Sequence, residues 1–252
     1  MAHEFEGERT AIVTGGAKRI GAAITRSLAA GGWHVLIHCR RSLAEAEALV
    51  AELGNASVVQ ADLAAPDAAD RIFASLDGLP PPRLLVNNAS QFRNDCARDF
   101  TVEQWDAHLA INLRAPALLS RAFADRVGDS TGLIVNLLDA KLAAPNPDFF
   151  TYTVSKFGLA GLTELTARAL APGIRVCGIA PSVTLVSGPQ SRDNFDQVHK
   201  LNALGRGVDV AEIVAALRFI IDTPTYTGQV IMLDGGQRFL SLERDVQFLK
   251  GS

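Results

Sequence analysis

The sequence predicts a doubly wound α/β fold, in which a parallel sheet carries helices on both faces. Short runs rich in aliphatic and β-branched residues alternate along the chain with Ala- and Leu-rich stretches of helical length. These short runs are almost continuously apolar, which is typical of parallel strands buried on both faces. No linker rich in Ser, Pro or Gly divides the 252 residues, so we expect one domain over residues 1–252.

Taken in order, the apolar runs predict seven strands and the stretches between them predict six helices. The strands are expected at Thr10–Thr14, His34–His38, Ala56–Gln60, Leu84–Asn87, Leu133–Leu137, Arg175–Ala180 and Gln229–Leu233. The helices are expected near residues 20–31, 43–53, 67–76, 101–127, 151–171 and 209–221, where apolar residues often recur at intervals of three and four residues. The segment 182–207 is polar and only weakly periodic, and so long a connection predicts a substrate lid or a disordered stretch.

Composition argues against several classes of protein. The 24 Lys and Arg residues are outnumbered by 27 Asp and Glu residues, so the chain lacks the excess of basic residues that is typical of nucleic-acid-binding proteins. No apolar run approaches the roughly 20 residues of a membrane span. The first residues, MAHEFEGERT, are acidic and polar, so we do not expect a secretory signal peptide. Cys39, Cys96 and Cys177 are odd in number and widely spaced, which indicates reduced thiols. We therefore expect a cytoplasmic protein with no membrane partner and, without a Cys-x-x-Cys or His-x3-His pair, no metal site.

The first strand leads into a Gly-containing loop, TGGAKRIG at residues 14–21, and then into a helix. Glycines permit a tight turn and let backbone N–H groups approach a pyrophosphate, to which the helix N-terminus adds partial positive charge. The loop could be only a βα turn. Its strand–loop–helix context favours a dinucleotide site instead. The residues expected to hold the dinucleotide are Gly15, Lys18, Arg19, Ile20 and Gly21.

The end of the second strand predicts which dinucleotide binds. A carboxylate there would accept hydrogen bonds from a free ribose 2′-hydroxyl. This chain has basic and hydroxyl side chains instead: His38, Arg40, Arg41 and Ser42. Guanidinium groups suit a 2′-phosphate, so we expect NADPH; the alternative is that the arginines are solvated loop charges. Asp62, just after the third strand, is expected near the adenine ring, with helix capping as the alternative, and Leu63 is expected among the cofactor contacts.

Tyr152 and Lys156 are four residues apart in a predicted helix, so they share one face. A free tyrosine has a pKa of about 10, and we expect the ammonium group of Lys156 to lower the pKa of Tyr152. The phenol could then deliver a proton to a substrate atom that receives hydride. This spacing alone is common by chance, and an exposed helix face is its default explanation.

Three further features strengthen the chemical interpretation. Residues 87–90, Asn-Asn-Ala-Ser, end the fourth strand, and ligands of parallel sheets lie beyond such ends. Asn112 is a polar residue inside an apolar helical run. Asp139 follows a strongly apolar strand and precedes Tyr152 by 13 positions.

Together these motifs resemble the short-chain dehydrogenase/reductase family, and the resemblance spans essentially the whole chain. It includes the 14–21 loop, residues 87–90, Asn112, the Tyr152–Lys156 pair and Leu-Asp-Gly-Gly at 233–236. The resemblance implies a Rossmann-type, seven-stranded subunit that usually assembles as a homotetramer. It also implies that Tyr152 is the acid/base, that Lys156 holds the nicotinamide ribose and that Asn112 supports a water-linked proton relay.

Two departures from the common family pattern narrow the resemblance. Arg19 stands where the loop usually has its middle glycine, and Asp139 stands where the catalytic serine usually is. Both departures occur together in pteridine reductases and bacterial dihydromonapterin reductases. Residues 87–92, NNASQF, resemble the segment whose aromatic residue stacks a pterin against the nicotinamide. The resemblance therefore implies NADPH-dependent reduction of a dihydropterin such as dihydromonapterin or dihydrobiopterin.

A flat, polar heteroaromatic substrate suits the residues. Phe92 could supply a stacking face and Arg19 could donate to a ring carbonyl. Asp139 could order Tyr152 or a water for proton transfer to a ring nitrogen, whereas an ionised carboxylate could not donate to a ketone oxygen. Substrate contacts are expected from Arg19, Ser90, Phe92, Asp139 and Tyr152. Further cofactor contacts are expected from Asn88, Ala89, Ser90, Tyr152, Lys156, Pro181 and Ser182.

Plainer roles stay open for three of these residues. Phe92 could belong to ordinary packing, Asp139 could cap a turn, and Arg19 could serve only the cofactor phosphates. Two other functions also stay open. One is a reductase of ordinary carbonyl substrates, in which Asp139 is a local variation. The other is a non-catalytic NADP-binding sensor, against which the intact Tyr152 and Lys156 argue.

Overall fold

Seven parallel strands form one sheet in the computed structural model, which describes residues 5–187 and 190–249. The strands are β1 (Thr10–Thr14), β2 (His34–Cys39), β3 (Ala56–Gln60), β4 (Pro82–Asn87), β5 (Gly132–Leu137), β6 (Ile174–Pro181) and β7 (Val230–Leu233). Their order across the sheet is β3-β2-β1-β4-β5-β6-β7. The predicted doubly wound, seven-stranded fold is confirmed, with each strand within two residues of its expected position.

The described part of the chain contains eight α-helices. They are α1 (Arg19–Ala30), α2 (Leu43–Leu53), α3 (Ala68–Ala74), α4 (Val102–Leu109), α5 (Ala115–Val127), α6 (Phe150–Leu170), α7 (Arg192–Val198) and α8 (Val210–Asp222). A π-helical turn, Ala110–Arg114, joins α4 to α5 where one continuous helix was expected. Short 3-10 turns lie at Ala140–Leu142, Gln237–Leu240 and Val246–Phe248.

The two faces of the sheet are covered by different helices. Val13 packs on one face with Ile24 of α1 and Leu217 of α8. Ile12, the neighbouring residue in the same strand, packs on the opposite face with Phe123 of α5. Because successive side chains of a strand point to opposite faces, both neighbours must be apolar. The continuous apolar runs in the sequence are explained by this double cover.

The segment 182–207 contains helix α7, which the sequence did not predict, and its role as a substrate lid stays a prediction. Ser191 caps this helix by accepting a hydrogen bond from the Asn194 backbone nitrogen at 3.1 Å. The helix has only seven residues and buries only Phe195 and Val198, so a periodic pattern was too short to show in the sequence. Residues 188–189 of the predicted lid, and residues 1–4 and 250–252 of the predicted domain, lie outside the described residues.

The order of the strands decides where a ligand can bind. The chain runs outward from β1 to β3 and then crosses back to place β4 on the other side of β1. The loops that leave the carboxyl ends of β1 and β4 therefore diverge and open a crevice. Throughout the described residues, none of the helices is both long and apolar enough to cross a membrane.

Candidate active site

The loops after β1, β4, β5 and β6 line a cavity of about 570 Å³. The predicted cofactor residues that line it are Gly15, Lys18, Arg19, Ile20, Gly21, Asn88, Ala89, Ser90, Pro181 and Ser182. Phe92, Asp139, Tyr152 and Lys156 line the same cavity. The remaining predicted residues do not line it: His38, Arg40, Arg41, Ser42, Asp62, Leu63 and Asn112.

The glycine loop after β1 is held in shape by its neighbours. Gly15 adopts a positive φ of 61°, and a Cβ atom at Gly21 would overlap the Gly15 carbonyl oxygen. The side-chain amide of Asn88 donates to the carbonyls of Thr14 and Gly15 at 2.8 and 3.2 Å. Only glycine allows α1 to begin this close to the loop, which leaves a concave backbone surface at the helix N-terminus. This surface fits a pyrophosphate.

His38 lies behind the glycine loop and not among the groups exposed to a ligand. Its Nδ1 accepts from the Gly15 backbone nitrogen at 3.2 Å, so Nε2 carries the hydrogen and donates to the Ala61 carbonyl at 3.1 Å. Burial lowers the pKa of this imidazole, which favours the neutral ring. The structure therefore corrects the expectation that His38 binds a 2′-phosphate: a buried, neutral ring with both nitrogens engaged supports the loop instead.

The two arginines after β2 have different surroundings. Arg40 pairs with Asp62 at 3.0 Å, and their side chains are 44% and 42% exposed. Asp62 also accepts from the Ala64 backbone nitrogen at 3.0 Å, so it combines a turn-capping role with an ion pair. Arg41 is exposed and forms no ion pair within the described residues. Ser42 precedes α2 without capping it, which leaves its hydroxyl group for a ligand.

Tyr152, Lys156 and Asp139 form a polar group at the opposite end of the crevice, in which Tyr152 and Lys156 are buried and Asp139 is half-buried. The Tyr152 hydroxyl donates to Asp139 Oδ2 at 2.7 Å. The other carboxylate oxygen accepts from the Lys141 backbone nitrogen at 2.8 Å, so Asp139 also caps the 3-10 turn that follows β5. Lys156 Nζ donates to the Leu137 carbonyl at 2.7 Å. Helix α6 and the end of β5 thus bring the three predicted groups together.

Burial controls the protonation of these groups. Desolvation raises the pKa of Tyr152 well above its usual value, and the charge of Asp139 and its hydrogen bond raise it further. Desolvation also raises the pKa of Asp139 and lowers the pKa of Lys156 to about 8. The sequence predicted that Lys156 lowers the pKa of Tyr152, whereas in this arrangement burial and the acceptor carboxylate of Asp139 raise it.

Asn112 connects the loop after β4 to helix α6 from within the π-helical turn. Its Oδ1 accepts from the Gln91 backbone nitrogen at 2.7 Å, and its Nδ2 donates to the Gln91 carbonyl and the Ser155 hydroxyl, both at 2.9 Å. Ser155 in turn donates to the Tyr152 carbonyl at 2.6 Å. Asn112 therefore positions the segment that carries Phe92 relative to the helix that carries Tyr152.

Phe92 and Phe149 form an aromatic wall of the site. Their rings stack with centroids 4.2 Å apart and planes 12° apart, and the Phe92 ring meets the Tyr152 ring edge-on at 4.7 Å. Phe149 adopts a positive φ of 56° immediately before α6. Because Phe149 covers one face of Phe92, a flat ligand could stack only on the opposite face.

Arg19 connects the glycine loop to the segment after β6. It has a positive φ of 56°, a conformation that glycine adopts without strain. Its guanidinium donates to the Val186 carbonyl at 2.7 Å and to the Ser187 hydroxyl at 3.3 Å. These contacts place Arg19 at the cavity wall, where it could reach either a cofactor phosphate or a substrate carbonyl.

Sequence reasoning missed the contribution of the last described residues. Leu242, Asp245 and Gln247 line the cavity, together with Lys141 from the turn after β5. No motif marks them, since the two segments are far apart along the chain and meet only in the fold. Within the described residues, no group of three or more His, Cys, Asp or Glu side chains could hold a metal ion.

Comparison with known proteins agrees with this geometry. The sequence profile of a family described as short chain dehydrogenase matches residues 9–197. Pteridine reductase 1 of Leishmania tarentolae is 31% identical and aligns with 90% of this chain and 95% of its own. A 3-oxoacyl-[acyl-carrier-protein] reductase of Synechocystis sp. is 30% identical and aligns with 90% of this chain and 96% of its own. The crystal structure of FolM alternative dihydrofolate reductase 1 from Brucella canis, complexed with NADP, has a TM-score of 0.88 and 41% identity over 95% of this chain and 97% of its own.

Proposed function

The chain belongs to the short-chain dehydrogenase family, and from this premise we propose that it is an NADPH-dependent reductase of dihydropterins. In the proposed reaction a ring carbon receives hydride and the neighbouring ring nitrogen receives a proton, with dihydromonapterin or dihydrobiopterin as the substrate. One observation carries the proposal: the Tyr152 hydroxyl lies 2.7 Å from a carboxylate oxygen of Asp139, at a cavity that Phe92 also lines.

The described residues fit NADPH, which would supply the hydride when bound. The glycine-shaped surface at the start of α1 suits the pyrophosphate, with Gly15, Ile20 and Gly21 around it. Arg41 and Ser42 would hold the 2′-phosphate, since no carboxylate stands among residues 38–42 to repel it. Lys156 and Tyr152 would hold the nicotinamide ribose. NADP in the Brucella canis structure supports this assignment.

The hydrogen-bond direction at Asp139 suggests how the proton moves. While Asp139 is ionised, it accepts the Tyr152 hydrogen and keeps it from a substrate. The raised pKa of Asp139 favours uptake of a proton, and the neutral carboxyl group can then donate to the Tyr152 oxygen. The Tyr152 hydrogen passes to the ring nitrogen, the Asp139 hydrogen passes to Tyr152, and solvent restores the proton to Asp139. In each turnover one proton thus passes from solvent to the ring nitrogen, and Asp139 and Tyr152 return to their starting protonation states.

This arrangement suits a C=N bond better than a C=O bond. A serine hydroxyl can donate to a developing ketone oxyanion at any pH, whereas Asp139 can donate only while it is protonated and disfavours that charge while it is ionised. A ring nitrogen takes a proton directly and needs no separate oxyanion donor. The pteridine reductase relative and the Brucella structure support the pterin proposal.

A reductase of ordinary carbonyls is the second candidate. It is favoured by the 30% identity to a 3-oxoacyl-[acyl-carrier-protein] reductase over nearly the whole of both chains. In that case Asp139 is a local variation, and Asp139→Ser should raise the rate of ketone reduction by restoring a neutral hydroxyl donor.

Steady-state NADPH oxidation with two substrate panels tests the proposal. One panel contains dihydropterins and dihydrofolate, and the other contains simple ketones and a 3-oxoacyl thioester. We expect kcat/KM for at least one dihydropterin to exceed that of every carbonyl substrate. Rapid carbonyl reduction without any pterin turnover would reject the pterin proposal and leave the family assignment intact. A single domain, a homotetramer and a cytoplasmic location stay predictions.

A further inference from the structure

A second polar group lines the cavity, and the proton transfer proposed above does not use it. It consists of Lys141, Asn146, Asp245 and Gln247, which we call the Lys141 cluster. Lys141 and Asn146 lie between β5 and α6, whereas Asp245 and Gln247 belong to the last described segment. The cluster is therefore assembled from two parts of the chain that are distant in sequence and meet in the fold.

An ion pair forms the centre of the cluster. Lys141 Nζ lies 2.7 Å from Asp245 Oδ2 and donates to Asn146 Oδ1, also at 2.7 Å. Asp245 Oδ1 accepts from the Gln247 backbone nitrogen at 3.0 Å. The side chains of Lys141 and Asp245 are each only 9% exposed. Two of the three ammonium hydrogens are engaged, and each carboxylate oxygen retains a lone pair.

Stability does not explain such a pair well. Removing two charges from water has a large desolvation cost, and apolar side chains of similar volume often stabilise a fold at least as well. Arg244 already anchors the same terminal segment through a two-pronged contact with Asp148, at 2.7 Å in both cases. The spare hydrogen-bonding capacity of Lys141 and Asp245 at the cavity wall therefore points to a ligand.

The chemistry of the proposed substrate indicates which part of it meets the cluster. In a 7,8-dihydropterin the reducible bond joins N5 to C6, and C6 also carries the side chain. The first side-chain atom is thus one bond from the carbon that receives hydride, close to Tyr152 and Asp139. Lys141 follows Asp139 by two residues, and its backbone nitrogen donates to the Asp139 carboxylate at 2.8 Å.

We propose that Lys141 and Asp245 form a subsite for adjacent hydroxyl groups on the substrate side chain, and so select polyhydroxyalkyl pterins over 6-alkyl pterins. The inference rests on the proposed function and identifies residues that determine its specificity. A hydroxyl group both donates and accepts, so neighbouring hydroxyls match an ammonium group beside a carboxylate. A negatively charged tail gains little there, because Asp245 neutralises the only ammonium group of the cluster.

The test compares two substrates on the same variants. Dihydromonapterin carries a trihydroxypropyl group, and 6-methyl-7,8-dihydropterin carries none. In Lys141→Met and in Asp245→Asn, we expect kcat/KM for dihydromonapterin to fall roughly 10- to 100-fold, as for lost hydrogen bonds to charged groups. We expect kcat/KM for the 6-methyl substrate to change less than about 3-fold, because it makes no contact with the pair.

Arg244→Gln provides the matched control. It weakens the Asp148 contact that anchors the same segment, but neither residue of that contact lines the cavity. We expect this variant to change kcat/KM for both substrates by the same factor. If Lys141→Met unfolds, Lys141→Met combined with Asp245→Leu leaves no unpaired buried charge, and the same selective loss is expected.

The outcomes separate the subsite from the proposed function. Equal losses on both substrates in the Lys141 and Asp245 variants would overturn the subsite, as would a wild-type enzyme that does not prefer dihydromonapterin. Failure of the wild-type enzyme to reduce either pterin would instead reject the proposed function and the subsite together.

Discussion

The two ends of the crevice are built on different physical principles. At the reacting end, Tyr152 and Lys156 are buried, Asp139 is half-buried, and desolvation shifts the pKa of each. At the adenosine end, Arg40 and Asp62 are half exposed, and water screens their ion pair. A buried site therefore depends on the arrangement of its groups, whereas an exposed site depends mainly on which residue types are present.

The largest effect is expected from Tyr152→Phe, which tests the reacting end directly. Removing the hydroxyl removes the proposed proton donor, and general acid catalysis typically contributes about 10²- to 10⁴-fold. We expect kcat for dihydropterin reduction to fall by that factor, while the Kd for NADPH, measured by fluorescence, rises only about 2- to 10-fold for the lost hydrogen bond to the ribose. A loss of less than about 10-fold would show that Asp139 donates the proton without Tyr152.

Asp139→Asn tests the same end through pH. Burial raises the pKa of Asp139, and the proposed step needs its protonated form. In the wild-type enzyme we therefore expect kcat/KM to fall as pH rises through that raised pKa. The asparagine variant should lack this fall in kcat/KM. At pH values below the raised pKa, its kcat/KM should be about 10²-fold lower than that of the wild type. Identical pH profiles for the two proteins would contradict the role assigned to Asp139.

Stability of the same variant supplies an independent check. Folding raises the pKa of Asp139, so the protonated side chain contributes favourably to the free energy of unfolding below the pKa of the unfolded chain. This contribution is lost as pH rises through the pKa of the folded protein. We expect the free energy of unfolding of Asp139→Asn, measured by urea denaturation, to equal or exceed that of the wild type at neutral pH. Lower stability of the variant at neutral pH would show that hydrogen bonds outweigh desolvation at this site.

Arg41→Ala tests the adenosine end. A lost contact with a charged phosphate is worth about 1.5–3 kcal/mol, so the Kd for NADPH should rise roughly 10- to 150-fold. The Kd for NADH should change little, because NADH lacks the 2′-phosphate. Titration of both cofactors gives the result, and equal weakening of the two would remove Arg41 from the 2′-phosphate site.

Arg40→Ala should have the smallest effect on the Kd for NADPH and serves as the control for Arg41→Ala. Arg40 is already paired with Asp62, and exposed ion pairs contribute about 0–1 kcal/mol. We expect the Kd for NADPH to rise less than about 5-fold. A larger loss than that of Arg41→Ala would show that Arg40 leaves Asp62 when the cofactor binds.

Much of this site could be predicted from the sequence because its spacings are local. The apolar runs predicted the strands, and the Tyr152–Lys156 spacing predicted that both side chains share a helix face, which lines the cavity in the structure. The buried position of His38 could not be predicted in this way. Strand alternation places His38 on the same face as Leu36, but it does not show that the backbone of Gly15 and of Ala61 engages both ring nitrogens.

The protonation of Tyr152 could not be predicted either. Lys156 is visible four residues along the chain, but the outcome depends on burial and on Asp139, which reaches Tyr152 only through the fold. Helix α7 and the Lys141–Asp245 pair could not be predicted from the sequence for a related reason. The helix is too short for a periodic signal, and the pair joins distant segments of the chain.

The terminal segment has a consequence for protein engineering. The family profile matches residues 9–197, which include Tyr152 and Lys156, whereas Asp245 and Gln247 enter the cavity from beyond that stretch. One cavity wall is therefore supplied by a short tail that carries none of the groups assigned to proton transfer. Exchanging residues 237–249 with those of a related reductase is a compact graft by which a new substrate range could be introduced while the chemistry is retained.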